Sequence, residues 1–511
     1  MQTLVFLCAQ RVVSDHSSIR RALDFTPEEL YPVLFKAAFL GKKTLVLQDL
    51  VQQWPFSVLS FQRLLHGDRD GGGPGQLRES PSKLCVQAVI LGVMACLTEA
   101  LAREERSPAG KRRLRLLDMT GTHGDGLEQG PDTMSLWSRT VTLAKACIDS
   151  SKRCCDETAQ VSKRRRGHGD AAHAPQPAHD SVYVQVRVDL FVNSTSYGVL
   201  REALLVSSHS PLRLQCRDLR AEELSLRSTV GLLELLNPAG VRQIDLRFNN
   251  LGLTGLNVLL LYMAKFTSLQ SLKLPYSNVD VRRLSPDTEI AMQNFASLIG
   301  ELSSLKELNL GSSRLSGRLR QLLGGLQTPL ESLELAFCYL LPVDLYYLSQ
   351  SIHVSTLKKL DFSGNNLSEL LLQPFQQLLS TVSASLLHLD IMECKLTDAT
   401  LSTFLPTLCR CSRLRYLGLF CNPISSQGLK TLLQNCVHMP ELQLVVYPFP
   451  LDCCTLPWPV SSASLLDSLF DQEKLVRVGA ELQELLVRAE RTDIVWTTDM
   501  CMHRALDYLN L

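Results

Sequence analysis

The chain has 511 residues, a formal net charge of +1 and a hydrophobic fraction of 45%. A nearly neutral chain has no global field that would draw it to nucleic acid or to an acidic membrane surface, so we predict neither as a partner. Its sixteen cysteines are too dispersed for a small disulfide scaffold, which predicts free thiols in a reducing compartment.

Residues 1–110 predict a helical N-terminal domain. Pro27, followed by two glutamates, suits the first turn of a helix that continues to Leu40, and residues 86–102 form a second, strongly apolar helix. The first nine residues lack the basic leading region of a signal peptide. No run approaches the roughly 18 apolar residues that a membrane span needs.

Residues 111–150 predict a degenerate first repeat, and residues 151–180 change character. The second stretch is basic and then rich in Gly, Ala, His and Pro, a composition that cannot bury a core, so we predict a disordered linker. Its basic run is a candidate import signal or phosphate-binding patch, and the alternative is a solvated linker. The run consists of Lys163, Arg164, Arg165 and Arg166.

A pattern Leu-x-x-Leu-x-Leu-x-x-(Asn/Cys/Ser)-x-Leu dominates residues 181–450, after two alternating strand-like segments at 184–190 and 212–216. Successive copies begin 25 to 36 residues apart, which predicts one strand and one helix per unit. The copies begin at Val241, Leu269, Leu305, Leu330, Leu357, Leu386, Leu414 and, in blunted form, Leu442.

The expected fold is α/β: a leucine-rich-repeat solenoid, or horseshoe, with a parallel concave sheet and convex helices. The strand leucines point into the core, while Asn, Cys or Ser at the ninth repeat position bonds backbone groups of the turn. The longest unit carries an insertion, Tyr276 to Thr288, that we interpret as a protruding loop. Residues 451–511 predict a helical C-terminal cap with an amphipathic helix pair over 465–490.

Catalytic signatures are missing from the sequence, and we predict neither an enzyme nor a cofactor or metal. Gly41-Lys42-Lys43-Thr44 lacks the earlier glycine of a phosphate loop, and no Cys-x-x-Cys, His-Glu-x-x-His or Gly-x-Ser-x-Gly occurs. His123 beside Asp125 lies on a Gly-rich stretch that favours exposure to solvent.

The spacing predicts which side chains line the concave face. Glu334, Asp361 and Asp390 fall at the same position of successive units, so three carboxylates align about one strand spacing (~5 Å) apart. With aromatic side chains nearby, this face suits a positively charged protein with an apolar ridge; the alternative is an ordinary solvated face. The candidate binding residues are Asp245, Glu307, Glu334, Phe337, Asp361, His388, Asp390, Glu393, Tyr416 and Phe420.

Segments across nearly the whole chain resemble the PRAME family of leucine-rich-repeat proteins. They are Thr3–Leu7, Trp54–Phe56, Val186–Leu190, Asp245–Leu251, Leu333–Cys338 and Val495–Asp499. The resemblance is weakest across 65–80 and 150–180. It implies a cytoplasmic adaptor that restrains Toll-like-receptor signalling to NF-κB by binding the IκB kinase beta subunit and disturbing assembly of the kinase core complex. No spacing in the sequence reveals that partner.

The same resemblance implies an association with elongin B/C and cullin-2 ubiquitin ligases. The elongin-binding pattern matches at Thr3, Leu4, Cys8 and Val12, whereas the cullin box is matched only loosely at Tyr31, Pro32 and Leu34. Leu4 and Cys8 lie one helical turn apart and can enter a groove together. The alternative is an N-terminal helix or strand that faces the core.

The sequence is best explained by a non-enzymatic adaptor whose solenoid holds a protein partner. The resemblance implies that this partner is a signalling kinase subunit in the cytoplasm. Two other functions remain open. One is the substrate receptor of an elongin–cullin-2 ubiquitin ligase. The other is a nuclear regulator that uses the basic run from Lys163 to Arg166.

Overall fold

The computed structural model describes residues 3–65, 81–104, 114–121, 132–165, 182–282, 285–455 and 470–499. The chain divides into two units, Met1–Arg242 and Gln243–Leu511. This division does not coincide with the predicted boundaries at 110, 150, 180 and 450. Both units contain alternating strands and helices, so the repeat pattern does not change at those boundaries.

The first unit carries four parallel strands that pair in chain order. The strands are β1 (Val58–Ser60), β2 (Leu116–Asp118), β3 (Val184–Val192) and β4 (Leu212–Ala221). The helices are α1 (Leu4–Val12), α2 (His16–Ala22), α3 (Tyr31–Leu40), α4 (Thr44–Gln52), α5 (Phe61–Leu65), α6 (Lys83–Glu104), α7 (Leu136–Arg165), α8 (Tyr197–Ser207) and α9 (Leu226–Leu233). Single 3-10 turns occupy Leu23–Phe25 and Glu28–Leu30.

A buried aromatic cluster positions the first strand. The Trp54 ring packs edge-on against Tyr31 and Phe35, with centroids 6.1 and 5.8 Å apart. Its Nε1 donates a hydrogen bond of 3.1 Å to the Val58 carbonyl oxygen. A buried indole N–H needs such a partner, so the bond fixes where β1 begins. The predicted start of the repeat array near residue 111 is therefore wrong, because β1 precedes it.

Two further expectations for this unit change. Residues 151–165 continue α7, so the predicted disorder is wrong there; Lys, Glu, Gln and Ala in this stretch favour helix. The rest of the predicted linker, 166–180, lies outside the described residues.

The apolar helix α6 contains a segment that the sequence did not single out as long enough to span a membrane. Lys83–Leu101 has a mean hydropathy of 2.0 and is long and apolar enough to cross a membrane by these two criteria alone. Buried core helices meet the same criteria, and 44% of its most apolar window is buried.

The second unit is a parallel repeat in which each strand pairs with the next from β5 to β13. Its strands are β5 (Gln243–Asp245), β6 (Ser271–Lys273), β7 (Glu307–Asn309), β8 (Ser332–Glu334), β9 (Lys359–Asp361), β10 (His388–Asp390), β11 (Tyr416–Gly418), β12 (Leu444–Val446) and β13 (Val495–Thr497). Its helices are α10 (Gly252–Met263), α11 (Pro286–Gly300), α12 (Leu319–Leu323), α13 (Pro342–Ser349), α14 (Glu369–Val382), α15 (Asp398–Leu408), α16 (Ser426–Cys436) and α17 (Gln472–Arg488), with a 3-10 turn at Leu451–Cys453. This arrangement confirms the predicted leucine-rich-repeat solenoid.

The predicted roles are confirmed for the strand leucines and for asparagine and cysteine at the ninth position. They are wrong for serine there, because the buried hydroxyls of Ser277 and Ser313 have no hydrogen-bond partner. The central strand leucines Leu308, Leu333 and Leu360 are fully buried. At the ninth position, Asn422 donates from Nδ2 to the Ile391 and Leu419 carbonyls at 2.9 and 2.7 Å, and its Oδ1 accepts from two backbone N–H groups of the preceding unit. These bonds satisfy backbone groups that no strand ladder reaches, and they tie each turn to its neighbour.

The insertion and the C-terminal end differ from expectation. In the insertion, the Val281 N–H donates to the Arg314 carbonyl, and the Arg314 N–H donates to the Val279 carbonyl. The described part of the insertion therefore follows the next repeat and does not protrude. At the end, α17 is one helix where a pair over 465–490 was predicted; residues 456–469 lie outside the described residues. Beyond α17, β13 adds a strand to the predicted helical cap.

Candidate functional site: the concave face and the turn edge

The concave face of the second unit carries the residues just before and just after the buried centre of each strand. The strand register sets Asn309 opposite Glu334, Glu334 opposite Asp361 and Asp361 opposite Asp390. Side chains directly opposite in neighbouring strands are close enough to interact. The predicted row of carboxylates is therefore aligned across the strands.

At the start of the row, basic side chains of the same or the preceding repeat pair with the acids. Arg247 binds both carboxylate oxygens of Asp245, which is almost fully buried. Lys273 Nζ lies 3.2 Å from Glu307 Oε1, and the Ser271 hydroxyl donates to Glu307 Oε2 at 2.5 Å. Each of these carboxylates thus has a partner within the repeat array and offers little free charge to another protein.

Glu334 lies in the middle of the row. Its Oε1 pairs with Lys359 Nζ at 2.8 Å, and its Oε2 accepts from Asn309 Nδ2 at 2.7 Å. Burial opposes ionisation, but the charges of Lys359 and Lys273 outweigh it and lower the pKa of Glu334 to about 2. Burial likewise opposes the charge on Lys359, yet the nearby carboxylates, Glu334 first, raise the pKa of Lys359 above its ordinary value.

Asp361 and Asp390 form the next pair, and no lysine separates them in the register. Burial, the charge of Asp390 and then that of Glu334 raise the pKa of Asp361 to about 7. Asp390 Oδ2 is joined to His388 Nε2 by a hydrogen bond of 2.7 Å. The fully buried His388 ring stacks on Tyr416 with centroids 4.0 Å apart, and burial followed by the Lys359 charge holds the pKa of His388 well below its usual range.

Gly418 makes room for this pair. A Cβ at Gly418 would lie 1.9 Å from Asp390 Oδ1 and 2.7 Å from the Met392 Cε. The carboxylate of Asp390 therefore occupies the space that any side chain at position 418 would need. The alternation of acid and glycine in neighbouring strands is what allows a buried carboxylate here.

The turns that follow the strands form a second surface. At the eighth and tenth repeat positions the backbone is left-handed, with φ between +44° and +60° in Phe248, Asn250, Tyr276, Asn278, Phe337 and Tyr339. Bulky side chains rarely adopt positive φ, and such backbone strain is commonly found at binding sites. We call the four exposed rings of this set, Phe248, Tyr276, Phe337 and Tyr339, the aromatic edge.

Sequence reasoning found only part of the aromatic edge. Phe337 belonged to the predicted set, whereas Phe248, Tyr276 and Tyr339 did not, although all share the eighth and tenth positions of their units. Among the other predicted residues, Glu393 is exposed and Phe420 is half-buried against Phe449. Tyr416 is buried on the concave side of β11, where its ring stacks on His388. A search for aromatic residues two and four positions beyond the last strand leucine would have found the missing rings.

The elongin-type pattern lies on an exposed face of α1. Thr3 caps the helix by accepting the Phe6 N–H at 3.3 Å. Leu4 is 76% exposed, Val12 is 47% exposed and Cys8 is also exposed, so one stripe of α1 faces outward. The cullin-type residues are placed differently. Tyr31 and Leu34 are buried, and Pro32 is half-buried.

The basic run lies at the end of α7 as far as Arg165, and Arg166 falls outside the described residues. A metal site is not formed either: no group of three or more His, Cys, Asp or Glu side chains converges within the described parts of the chain. Several charges of the concave face are joined in a bonded network, whereas Asp361 and Asp390 set two carboxyl groups opposite each other. The network gives the face a defined shape and polarity.

Comparisons with known proteins agree with this architecture. The family model described as PRAME C-terminal domain matches residues 185–509, and the PRAME N-terminal domain matches residues 2–70. Leucine-rich repeat-containing protein 14 of Xenopus laevis is 71% identical, and the proteins of that name in Homo sapiens and Mus musculus are 48% identical. Each alignment covers 100% of this chain and 100% of the relative.

Among solved structures, the yeast Rad7 and Elc1 complex matches 51% of this chain and 68% of its own at 15% identity, with a TM-score of 0.31. That likeness is too low to carry an argument. The family models and the full-length relatives carry the assignment on their own: the chain belongs to the PRAME family of leucine-rich-repeat proteins.

Proposed function

We propose that this chain is a cytoplasmic adaptor that binds the IκB kinase beta subunit and so restrains signalling from Toll-like receptors to NF-κB. Membership of the PRAME family supports a protein-interaction role for the repeats. The kinase partner is the part that we propose. The single observation that carries the proposal is identity over the full length to repeat proteins of one kind, 71% in one and 48% in others.

The concave face supports a selective rather than a purely electrostatic contact. Because Glu307, Glu334 and Asp390 are bonded to side chains of the same or a neighbouring repeat, a partner gains little from their charges and must fit the shape they hold. Glu393 differs, since it is exposed on the turn that follows β10. It is the acid to which a basic partner has best access.

Binding of the purified full-length chain to the purified kinase subunit tests the proposal directly. We expect a saturable complex, and we expect Glu393→Lys to weaken it by about fivefold through lost attraction and added repulsion. Glu301→Lys is the matched control, because Glu301 is an exposed acid at the end of α11. A reporter of NF-κB activity should follow the same order. Failure of the wild-type chain to bind the kinase subunit would overturn the proposal.

A second function, substrate receptor of an elongin–cullin-2 ligase, is favoured by the exposed stripe on α1. An apolar helix face left open to solvent suits a partner groove, because its burial on binding is favourable. The burial of Tyr31 and Leu34 gives no such support to the cullin-type half of the motif.

Co-purification with elongin B and C tests this second function. Leu4→Ser with Cys8→Ser should abolish recovery, while Val5→Ser, which changes an apolar residue outside the motif that is 54% exposed, should leave it intact. If the double variant loses elongins but still restrains NF-κB, sequestration of the kinase and ligase assembly are separate activities. Equal recovery of elongins by all variants would remove the ligase function from α1.

A further inference from the structure

The aromatic edge is interrupted at one unit, and the interruption forms a cavity. The eighth position carries Tyr276 and Phe337 in two units, but the unit between them carries Ser312 with the same left-handed backbone, φ +60°. A small side chain between two large ones leaves a gap. The gap is a cavity of about 400 Å³ whose walls include Tyr276, Val279, Ser312, Phe337 and Tyr339.

The walls of this cavity are held in place by their surroundings. Gly364, the eighth residue of the next unit, has φ +71°, and a Cβ there would lie 2.1 Å from Phe337 Cδ1. Phe337 therefore lies directly over the glycine. On the other side, Tyr276 is stacked on Phe248 with ring centroids 4.6 Å apart and planes within 20°. The rings flanking the gap are packed on their outer sides, which makes the cavity a prepared site rather than a transient opening.

The charges beside the cavity are predominantly positive. Arg314 lines it, is 48% exposed at its side chain and lies 3.4 Å from Asp280. Asp280 also pairs with Arg282 at 2.9 Å. One carboxylate thus faces two guanidinium groups, so this corner carries an excess of one positive charge. A guanidinium that is half exposed can donate two hydrogen bonds to a second carboxylate in a bidentate geometry.

We propose that this cavity binds an extended segment of a partner protein in which an aromatic or leucine side chain lies next to an aspartate or glutamate. The apolar side chain enters between Tyr276 and Phe337, and the carboxylate pairs with Arg314. The inference rests on the interaction role of the chain but does not depend on the IκB kinase beta subunit being the partner.

Charge decides against the other common ligand of an aromatic pocket. Rings arranged around a cavity also bind quaternary ammonium groups, as in sites for methylated lysine. Here the positive corner formed by Arg314 and Arg282 repels a cation, and the nearest acid, Asp280, is already paired by both. An anionic, apolar segment satisfies the rings and the arginine together.

Fluorescence polarisation with the full-length chain and labelled Gly-Ser-flanked peptides tests the inference. The peptides differ only in their centre: Asp-Phe-Glu, Lys-Phe-Lys, Asp-Ala-Glu, or trimethyl-lysine. We expect the first to bind with a Kd on the order of 0.1 mM and each of the others to bind at least about tenfold more weakly. Equal binding of the acidic and basic peptides, stronger binding of trimethyl-lysine, or no binding of any peptide would overturn the inference.

Two variants locate the binding. Ser312→Phe should fill the cavity and weaken the Asp-Phe-Glu peptide by about tenfold; the fold should tolerate it because Phe337 and Phe248 hold the same position and φ in other units. Arg314→Gln should weaken the peptide by about fivefold, whereas Arg488→Gln, an exposed arginine on α17, should not. Unchanged affinity in Ser312→Phe would contradict the cavity. Peptide binding without kinase binding would leave this inference standing and remove the proposed function.

Discussion

Asp361 lies directly opposite Asp390 in the register of β9 and β10, so two carboxyl groups share one part of the concave face. Burial and the charge of Asp390 raise the pKa of Asp361 to about 7, above the value of about 3.9 expected when the chain is unfolded. Between these two values the folded chain holds a proton that the unfolded chain has released. The free energy of unfolding should therefore decrease as pH rises from about 4 to about 7 and then change no further through this group.

Asp361→Asn tests this dependence because an amide cannot ionise and keeps an oxygen to accept the Ser363 N–H. We expect it to be more stable than the wild type at pH 8 by about 1–2 kcal/mol, with the difference disappearing near pH 4. Urea unfolding at several pH values measures this, with the exposed Glu393→Gln as the control. Parallel curves for wild type and Asp361→Asn would show that Asp361 titrates normally.

Gly418→Ala should destabilise the second unit, because the new methyl group would lie 1.9 Å from Asp390 Oδ1. We expect a loss of about 2–3 kcal/mol from the forced displacement of a buried carboxylate and its bond to His388. Gly479→Ala is the control, since nothing lies within 4 Å of a Cβ at that position of α17. There alanine should raise stability by roughly 0.5–1 kcal/mol. Thermal unfolding of both variants gives the comparison, and equal effects would refute the steric argument.

Lys359→Met should cost about 3 kcal/mol, because it leaves Glu334 buried without its principal cation. Adding Glu334→Gln should recover part of that loss, since the uncompensated charge is then gone. A double-mutant cycle measured by urea unfolding gives the coupling energy between the two side chains. Additive effects would mean that the charges of Lys359 and Glu334 do not stabilise each other.

Thiol alkylation should separate the cysteines by environment. Burial raises the pKa of Cys338 to about 12 and raises that of Cys394 still further, so neither presents a thiolate near neutral pH. Cys8 is exposed on α1. With iodoacetamide under native conditions at pH 8, we expect mass spectrometry to find Cys8 modified and Cys338 and Cys394 protected until urea is added. Early modification of Cys338 would indicate that its turn opens in the native state.

The strands with an intact pattern could be predicted from the sequence because the same leucine positions are buried in every repeat. Leu308, Leu333 and Leu360 each require a dry interior, and an asparagine at the ninth position, such as Asn422, bonds the backbone of the turn. The short strands β1 and β13 lack that pattern. Val58–Ser60 is positioned by the indole of Trp54, a contact that no local periodicity records.

The pairing of charges on the concave face could be predicted from the sequence only in part. That Glu334 faces an acid in the next strand follows from alignment of the repeats. That Lys359, two positions before Asp361 in the same strand, reaches back to neutralise Glu334 depends on the direction of its side chain in the folded repeat. Three of the four rings of the aromatic edge were not predicted from the sequence, for a different reason. Positive φ normally favours Gly or Asn, so a phenylalanine or tyrosine at such a position gives no recognisable turn signal.

The repeat also sets a length scale for recognition. Neighbouring strands lie about 4.8 Å apart, so two steps, from the unit of Tyr276 to that of Phe337, span about 10 Å. An extended polypeptide advances about 3.3 Å per residue, so roughly three residues cross that distance. A ligand read by these turns therefore needs only a tripeptide of defined sequence. Neighbouring repeats, such as the one that carries Phe248, are placed to contact the residues that flank this tripeptide.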